Sequence, residues 1–167
     1  MNRKDNIAAV VLAAGKGKRI KSKTFNKVVL NLGEKPMILY TIELLEKFQI
    51  KPIVVVVGFA KDSVMSILGN RVIFAEQRKR LGTAHAIQCG LKKLNSKVSE
   101  ILVLNGDDSA FYTENLIEKL VKTHLTSGAA LTFLTIMLEN PSSLGRIIRG
   151  KNGEVLAIVE FPLAKLL

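Results

Sequence analysis

Short apolar runs alternate with longer amphipathic ones along most of this chain. Ile7 to Leu12 carries no polar residue and Ile53 to Val57 is β-branched throughout, so both predict buried strands. Val72 to Ala75 and Ile101 to Leu104 predict two more. Between these runs the apolar spacing becomes helical. A helix is predicted from Pro36 through Phe48, with the proline in its first turn where a missing N–H does no harm. Ala60 to Leu68, closed by Gly69-Asn70, predicts a short second helix, and Thr83 to Leu94 a third that Thr83 can cap. Thr113 opens a fourth, to about Leu125, with Glu114 at the positive end of its dipole. Leu131 to Leu138, Arg146 to Arg149 and Val155 to Glu160 predict strands, the last two joined by a turn at Lys151-Asn152-Gly153. Strands alternating with helices predict an α/β layer architecture around a largely parallel sheet.

Composition narrows the class. At 167 residues and 48% hydrophobic content the chain can bury one substantial core, so a single domain is expected. The longest apolar stretch falls well short of the roughly 18 residues of a membrane helix. The first ten residues lack a secretory apolar region. A cytoplasmic protein without a membrane partner is therefore expected. Cys89, the single cysteine, cannot form an internal disulfide and falls in the helical pattern of Ala84, Ile87, Leu91 and Leu94, which suits packing. The formal charge is +11, and residues 1–27 hold eight Lys or Arg against Asp5 alone. Such a field attracts polyanions. Aromatic residues make up only 5% of the chain and none interleaves with the basic run, so a nucleoside triphosphate is preferred to nucleic acid as the partner.

Candidate chemistry gathers where strands end. The first strand empties into Ala13-Ala14-Gly15-Lys16-Gly17-Lys18-Arg19, which offers backbone N–H groups and cations at one point, as a phosphate chain requires. The loop is neither of two better-known phosphate binders. The dinucleotide fingerprint needs a third glycine where Ile20 stands, and the P-loop needs a Ser or Thr after Gly-Lys. Asn105-Gly106-Asp107-Asp108 follows the strand at Ile101 to Leu104 and would face the same crevice if the two strands are neighbours. A carboxylate beside a triphosphate calls for a divalent cation between them, which makes Asp107 a candidate Mg2+ ligand. Asp108 diverges from it along the extended chain. The third cluster runs from Ala75 to Ala86: Gln77 has the donor and acceptor needed to read a base edge, while Gly82 and Thr83 open a helix. His85 and His124 lack partners at metal-ligand spacing and read as surface or capping residues. Each feature also has a plainer reading: a solvated lysine turn, an Asp-rich strand end, a polar loop with an N-cap.

Taken together, Leu12-Ala13-Ala14-Gly15-Lys16-Gly17 with Arg19, Lys27-Val28-Val29, Glu76-Gln77, Leu81-Gly82-Thr83-Ala84-His85-Ala86, Gly106-Asp107, Gly145-Arg146-Ile147 and Ile158-Val159-Glu160 resemble, in order, the sugar-nucleotidyltransferase family of the nucleotide-diphospho-sugar transferase superfamily. The likeness is strongest to its uridylyltransferases acting on N-acetylglucosamine 1-phosphate, and it covers nearly the whole chain. It implies a Rossmann-like three-layer sandwich with a mostly parallel mixed sheet. It also implies transfer of UMP from UTP to the sugar 1-phosphate, with release of pyrophosphate. By resemblance, Leu12, Ala13, Ala14 and Gly15 contact the nucleotide with Gly82, Thr83, Asn105 and Gly106, and Gln77 reads uracil. Arg19 and Lys27 neutralise phosphates, Asp107 holds Mg2+ and acts in catalysis with them, and Gly145 and Glu160 hold the sugar.

The chain departs from the family pattern at Lys18, where a small hydroxyl residue is expected, at Asn26 in place of a proline, and at Asp108-Ser109. The family's catalytic domain is expected to continue beyond Leu167, with a second metal ligand there. Alternatives are a nucleotidyltransferase for another base or phosphorylated acceptor, a non-catalytic nucleotide-binding regulator, and a basic nucleic-acid module. Oligomeric state is not legible.

Overall fold

Ile7–Ala13 (β1) is central to the main sheet, hydrogen-bonded on both edges, which is why it tolerates no polar side chain. The computed structural model describes residues 6–17, 20, 22–107, 111–142 and 144–160. A two-stranded hairpin, Asn31–Leu32 (β2) and Lys35–Pro36 (β3), leads into helix Met37–Lys47 (α1). The order continues with Ile53–Val57 (β4), Lys61–Leu68 (α2), Ile73–Glu76 (β5), Thr83–Leu91 (α3), Glu100–Asn105 (β6) and Glu114–Ser127 (α4). The main sheet has the order β5-β4-β1-β6, every pairing parallel. From β1 the chain steps outward through β4 to β5, then returns across β1 to lay down β6. That reversal creates a switch point between β1 and β6 at their carboxyl ends.

The period-2 alternation of the strands separates two cores. Ile7, Ala9, Val11 and Ala13 of β1, with Ile53, Val55 and Val57 of β4, face Ile38, Ile42 and Leu45 of α1, Val64 and Leu68 of α2, and Ile117 of α4. Val10, Val54 and Val56 face α3 through Ala86 and Cys89. Helices on both faces of a parallel sheet make the three layers that the resemblance implies. The second face is thin: a Cβ on Gly90 would lie 2.7 Å from Val10 Cγ1 and 3.1 Å from Val56 Cγ2. Only glycine lets α3 approach so closely. No helix among the described residues is long and apolar enough to cross a membrane.

Several element ends differ from expectation. Pro36 is the residue before α1 and closes β3, outside the helix. The cap of α3 is Gly82, without a side-chain bond, and Thr83 is the first helical residue. At α4 the expected cap is present: Thr113 Oγ1 accepts from Leu116 N at 3.3 Å. On the surface Arg71 donates to Glu46 at 3.0 and 2.6 Å, and this fork holds the Glu46 carboxyl below its ordinary range.

The chain divides into two compact units, 1–129 and 130–167. In the second, Arg146–Arg149 (β7) and Val155–Val159 (β8) form an antiparallel hairpin as expected. The strand expected at Leu131 to Leu138 is not formed among the described residues. Leu131, Ile136 and Met137 are instead exposed. Apolar composition marks a segment fit for a pleated surface, and it becomes a strand only where a ladder partner lies alongside.

Candidate active site

Three of the four strands of the main sheet, β1, β5 and β6, bring their carboxyl ends to one cavity of about 290 Å3. Leu12 and Ala13 end β1 and Ala14 and Gly15 follow it, Gln77 follows β5, Asn105 ends β6 and Asp107 comes two residues later; Lys27, Gly82 and Thr83 complete the walls with Asn26 and Arg80. The cavity lies at the switch point, where open parallel sheets take their ligands. Gly15 and Asp107, expected to share a crevice, line it together. Gly106 supports their approach: its N–H donates to Leu12 O at 3.0 Å, and a Cβ there would lie 3.2 Å from that oxygen.

On the loop side, the backbone after β1 is held by Asn26, marked in the sequence only by its departure from the family pattern. Asn26 is buried, and its Nδ2 donates to the carbonyls of Ala13 at 2.8 Å, Gly15 at 3.1 Å and Phe59 at 3.0 Å. Its Oδ1 accepts from Val28 N at 3.2 Å, and its own N–H donates to Ser63 Oγ at 3.0 Å. With the carbonyls of Ala13 and Gly15 turned toward Asn26, the shape of the loop is set from below. Gly17 adopts φ +58°, and a Cβ there would come within 3.3 Å of Lys27 Cβ, so loop and lysine are packed together. Lys27 extends to a half-buried ion pair with Asp107. No sequence signal announces the Asn26 clamp, because its partners converge only on folding.

Across the cavity, Gln77 continues from β5, its N–H donating to Val57 O at 2.8 Å. Its side chain is buried, and Nε2 lies 3.0 Å from both Gly82 O and His85 Nδ1. Gly82 has φ +96° and ψ −179°, a conformation open in practice to glycine alone. His85, expected to be a surface or capping residue, is thus a partner of Gln77. Arg80 is another cavity-lining residue that the sequence reading passed over.

Arg19, like Asp108, lies outside the described residues. Gly145 and Glu160 belong to the second unit, where they flank the open end of its hairpin. There a Cβ on Gly145 would be 3.0 Å from Val159 O and 3.7 Å from a Glu160 carboxylate oxygen.

Among the described residues no cluster of three or more His, Cys, Asp or Glu could enclose a metal ion. Asp107 is the one carboxylate among the residues lining the cavity. Mg2+ is commonly held by one or two carboxylates completed by substrate phosphates and water, so the chemistry of Asp107, a single cavity-lining carboxylate ion-paired with Lys27, fits that ion.

Residues 9–140 match the MobA-like NTP transferase domain. The chain is 46% identical to the bifunctional protein GlmU of Caldicellulosiruptor saccharolyticus over 90% of its own length and 33% of the relative. It is 38% identical to that of Thermoanaerobacter pseudethanolicus over 93% of its length and 34% of the relative. It therefore spans about a third of these relatives. Among solved structures, HddC from Yersinia pseudotuberculosis superposes with a TM-score of 0.67 at 23% identity, covering 92% of this chain and 68% of that one. The CTP:phosphocholine cytidylyltransferase LicC from Streptococcus pneumoniae gives 0.66 at 19%, covering 93% and 65%. These similarities share the Rossmann-like fold of nucleotide-diphospho-sugar transferases.

Proposed function

The chain belongs to the MobA-like NTP transferase family, and from that premise we propose that its cavity transfers UMP from UTP to N-acetylglucosamine 1-phosphate. The carrying observation is that Gly15 and Asp107, from the ends of β1 and β6, line one cavity with Gln77 in its wall. An anion cradle, a metal-binding carboxylate and a base-reading amide are the three requirements of a magnesium nucleotide site.

In this reading a phosphate oxygen of the sugar phosphate attacks the α-phosphorus of UTP. A new P–O bond forms, the bond to the bridging oxygen breaks, and pyrophosphate leaves with the electron pair. No nucleophilic side chain is required, so the protein's work is alignment and charge compensation. The loop from Leu12 to Gly15 binds the nucleotide with Gly82, Thr83, Asn105 and Gly106, and Gln77 meets the uracil. Lys27 and Arg19 offset phosphate charge. Asp107 would hold Mg2+, which when bound would supply further charge neutralisation for the leaving pyrophosphate. Gly145 and Glu160 are assigned to the sugar, and the single nucleotidyltransferase-like domain works in the cytoplasm, where nucleoside triphosphates are abundant.

The test is pyrophosphate release by the purified chain with Mg2+, N-acetylglucosamine 1-phosphate and UTP, CTP, GTP or ATP in turn. Release with UTP alone is expected. Release with another triphosphate would reassign the base, and binding without turnover would make the chain a regulator. Asp107→Asn is expected to lower Mg2+-dependent turnover by at least about 100-fold, the scale for losing a charge-stabilising group at the reacting centre. Unchanged turnover would remove Asp107 from the reaction.

A further inference from the structure

The amide of Gln77 has only one possible orientation. A carbonyl oxygen cannot donate, so the atom 3.0 Å from Gly82 O must be Nε2. The same Nε2 lies 3.0 Å from His85 Nδ1, which must then accept. The imidazole proton of the neutral ring therefore sits on Nε2, facing Cys89 Sγ at 3.9 Å. An amide nitrogen carries two hydrogens, and both are now committed. Oε1 has no such partner. Since no buried side-chain nitrogen or oxygen among the described residues lacks a hydrogen bond, Oε1 is the solvent-reachable end of a side chain that lines the cavity.

Building on the nucleotide-site reading above, we propose that His85 is a positioning residue for base selection. By taking the second amide hydrogen of Gln77, it leaves that side chain able only to accept, so the cavity favours a base whose edge brings an N–H. Uracil satisfies this with its N3–H. A pyrimidin-2-one ring has nearly the same size but presents only acceptors at that edge, so it meets Oε1 with no donor and leaves it unpaired. With the acceptor of His85 removed, one amide hydrogen is released while Gly82 retains the other. Gln77 can then donate as well as accept, and the preference relaxes.

Calorimetric titration of UTP and of pyrimidin-2-one ribonucleoside triphosphate tests this on the unaltered chain, on His85→Leu and on His85→Asn, whose carbonyl can stand in for Nδ1. The expected result is tighter binding of UTP by the unaltered chain. The affinity ratio should fall about tenfold in His85→Leu, the scale of one hydrogen bond, and recover in His85→Asn. A poorly folded fraction lowers binding of both ligands alike and leaves the ratio intact. An unchanged ratio in His85→Leu, or equal binding by the unaltered chain, overturns the role of His85 while the nucleotide site stands. Failure of the unaltered chain to bind either triphosphate overturns both.

Discussion

Two buried amides, Asn26 and Gln77, hold different regions of the same cavity, and they are used differently. Asn26 commits both ends of its side chain to backbone, giving Nδ2 to three carbonyls and Oδ1 to Val28 N–H. Gln77 commits only its nitrogen. A fully satisfied amide has nothing left for a ligand and acts as scaffold, whereas one with a free oxygen at a cavity wall is held ready for something that donates. Identical functional groups are told apart by which atom remains unspent.

The sharpest way to break this contrast is Asn26→Asp. The substitution keeps the shape of the side chain but sets a carboxylate oxygen against the carbonyls of Ala13, Gly15 and Phe59, four acceptors with no donor among them. A loss of more than about 3 kcal/mol in unfolding free energy is expected by denaturant titration, as for a buried charge without a partner. A loss below about 1 kcal/mol would mean that the clamp does not hold the loop.

A smaller effect is expected from the Gln77 side of the cavity, through α3. Gly90→Ala puts a methyl 2.7 Å from Val10 Cγ1, closer than side-chain carbons come without movement. To make room, α3 must lift from the sheet, carrying Gly82, Thr83 and His85 at its other end. Overpacking of this kind costs about 1–3 kcal/mol. On the proposed reading UTP affinity should weaken alongside stability, because the cavity wall at Gly82 and Thr83 moves while the Asn26 clamp stays in place. Stability within about 0.5 kcal/mol of the unaltered chain would show that α3 has slack.

What could be read beforehand divides along a similar line. The buried strands β1 and β4 were legible because a strand covered on both faces needs an unbroken apolar run, and the loop, Gln77 and Asp107 were legible because reactive residue types stood at strand ends. Leu131 to Leu138 misled because its composition resembles a strand while pairing depends on a neighbour. The β2–β3 hairpin escaped because two residues per strand carry no periodicity. Asn26, His85 and Gly90 escaped for a shared reason. Their roles are distances to residues remote in sequence or one helical turn away: Ser63 lies 37 positions from Asn26, and Val10 lies on a different element from Gly90. Residue type marks what a site can do, but which atoms are already occupied is a tertiary fact.

The mildest of the expected effects on stability, and the one that isolates function, is Gln77→Leu. Gly82 O still accepts from Ala86 N at 3.2 Å, and His85 is only half-buried, so neither is stranded when the amide is lost. Unfolding free energy should change by less than about 1 kcal/mol. UTP affinity should fall about tenfold, and the discrimination against pyrimidin-2-one triphosphate should fall with it, since leucine neither accepts nor donates. Measured together with Asn26→Asp, the pair separates scaffold from reader: one amide whose loss unfolds the protein, and one whose loss leaves it folded and indifferent to the base. If Gln77→Leu destabilised the chain as strongly as Asn26→Asp, its free oxygen would be incidental and both amides would be scaffold.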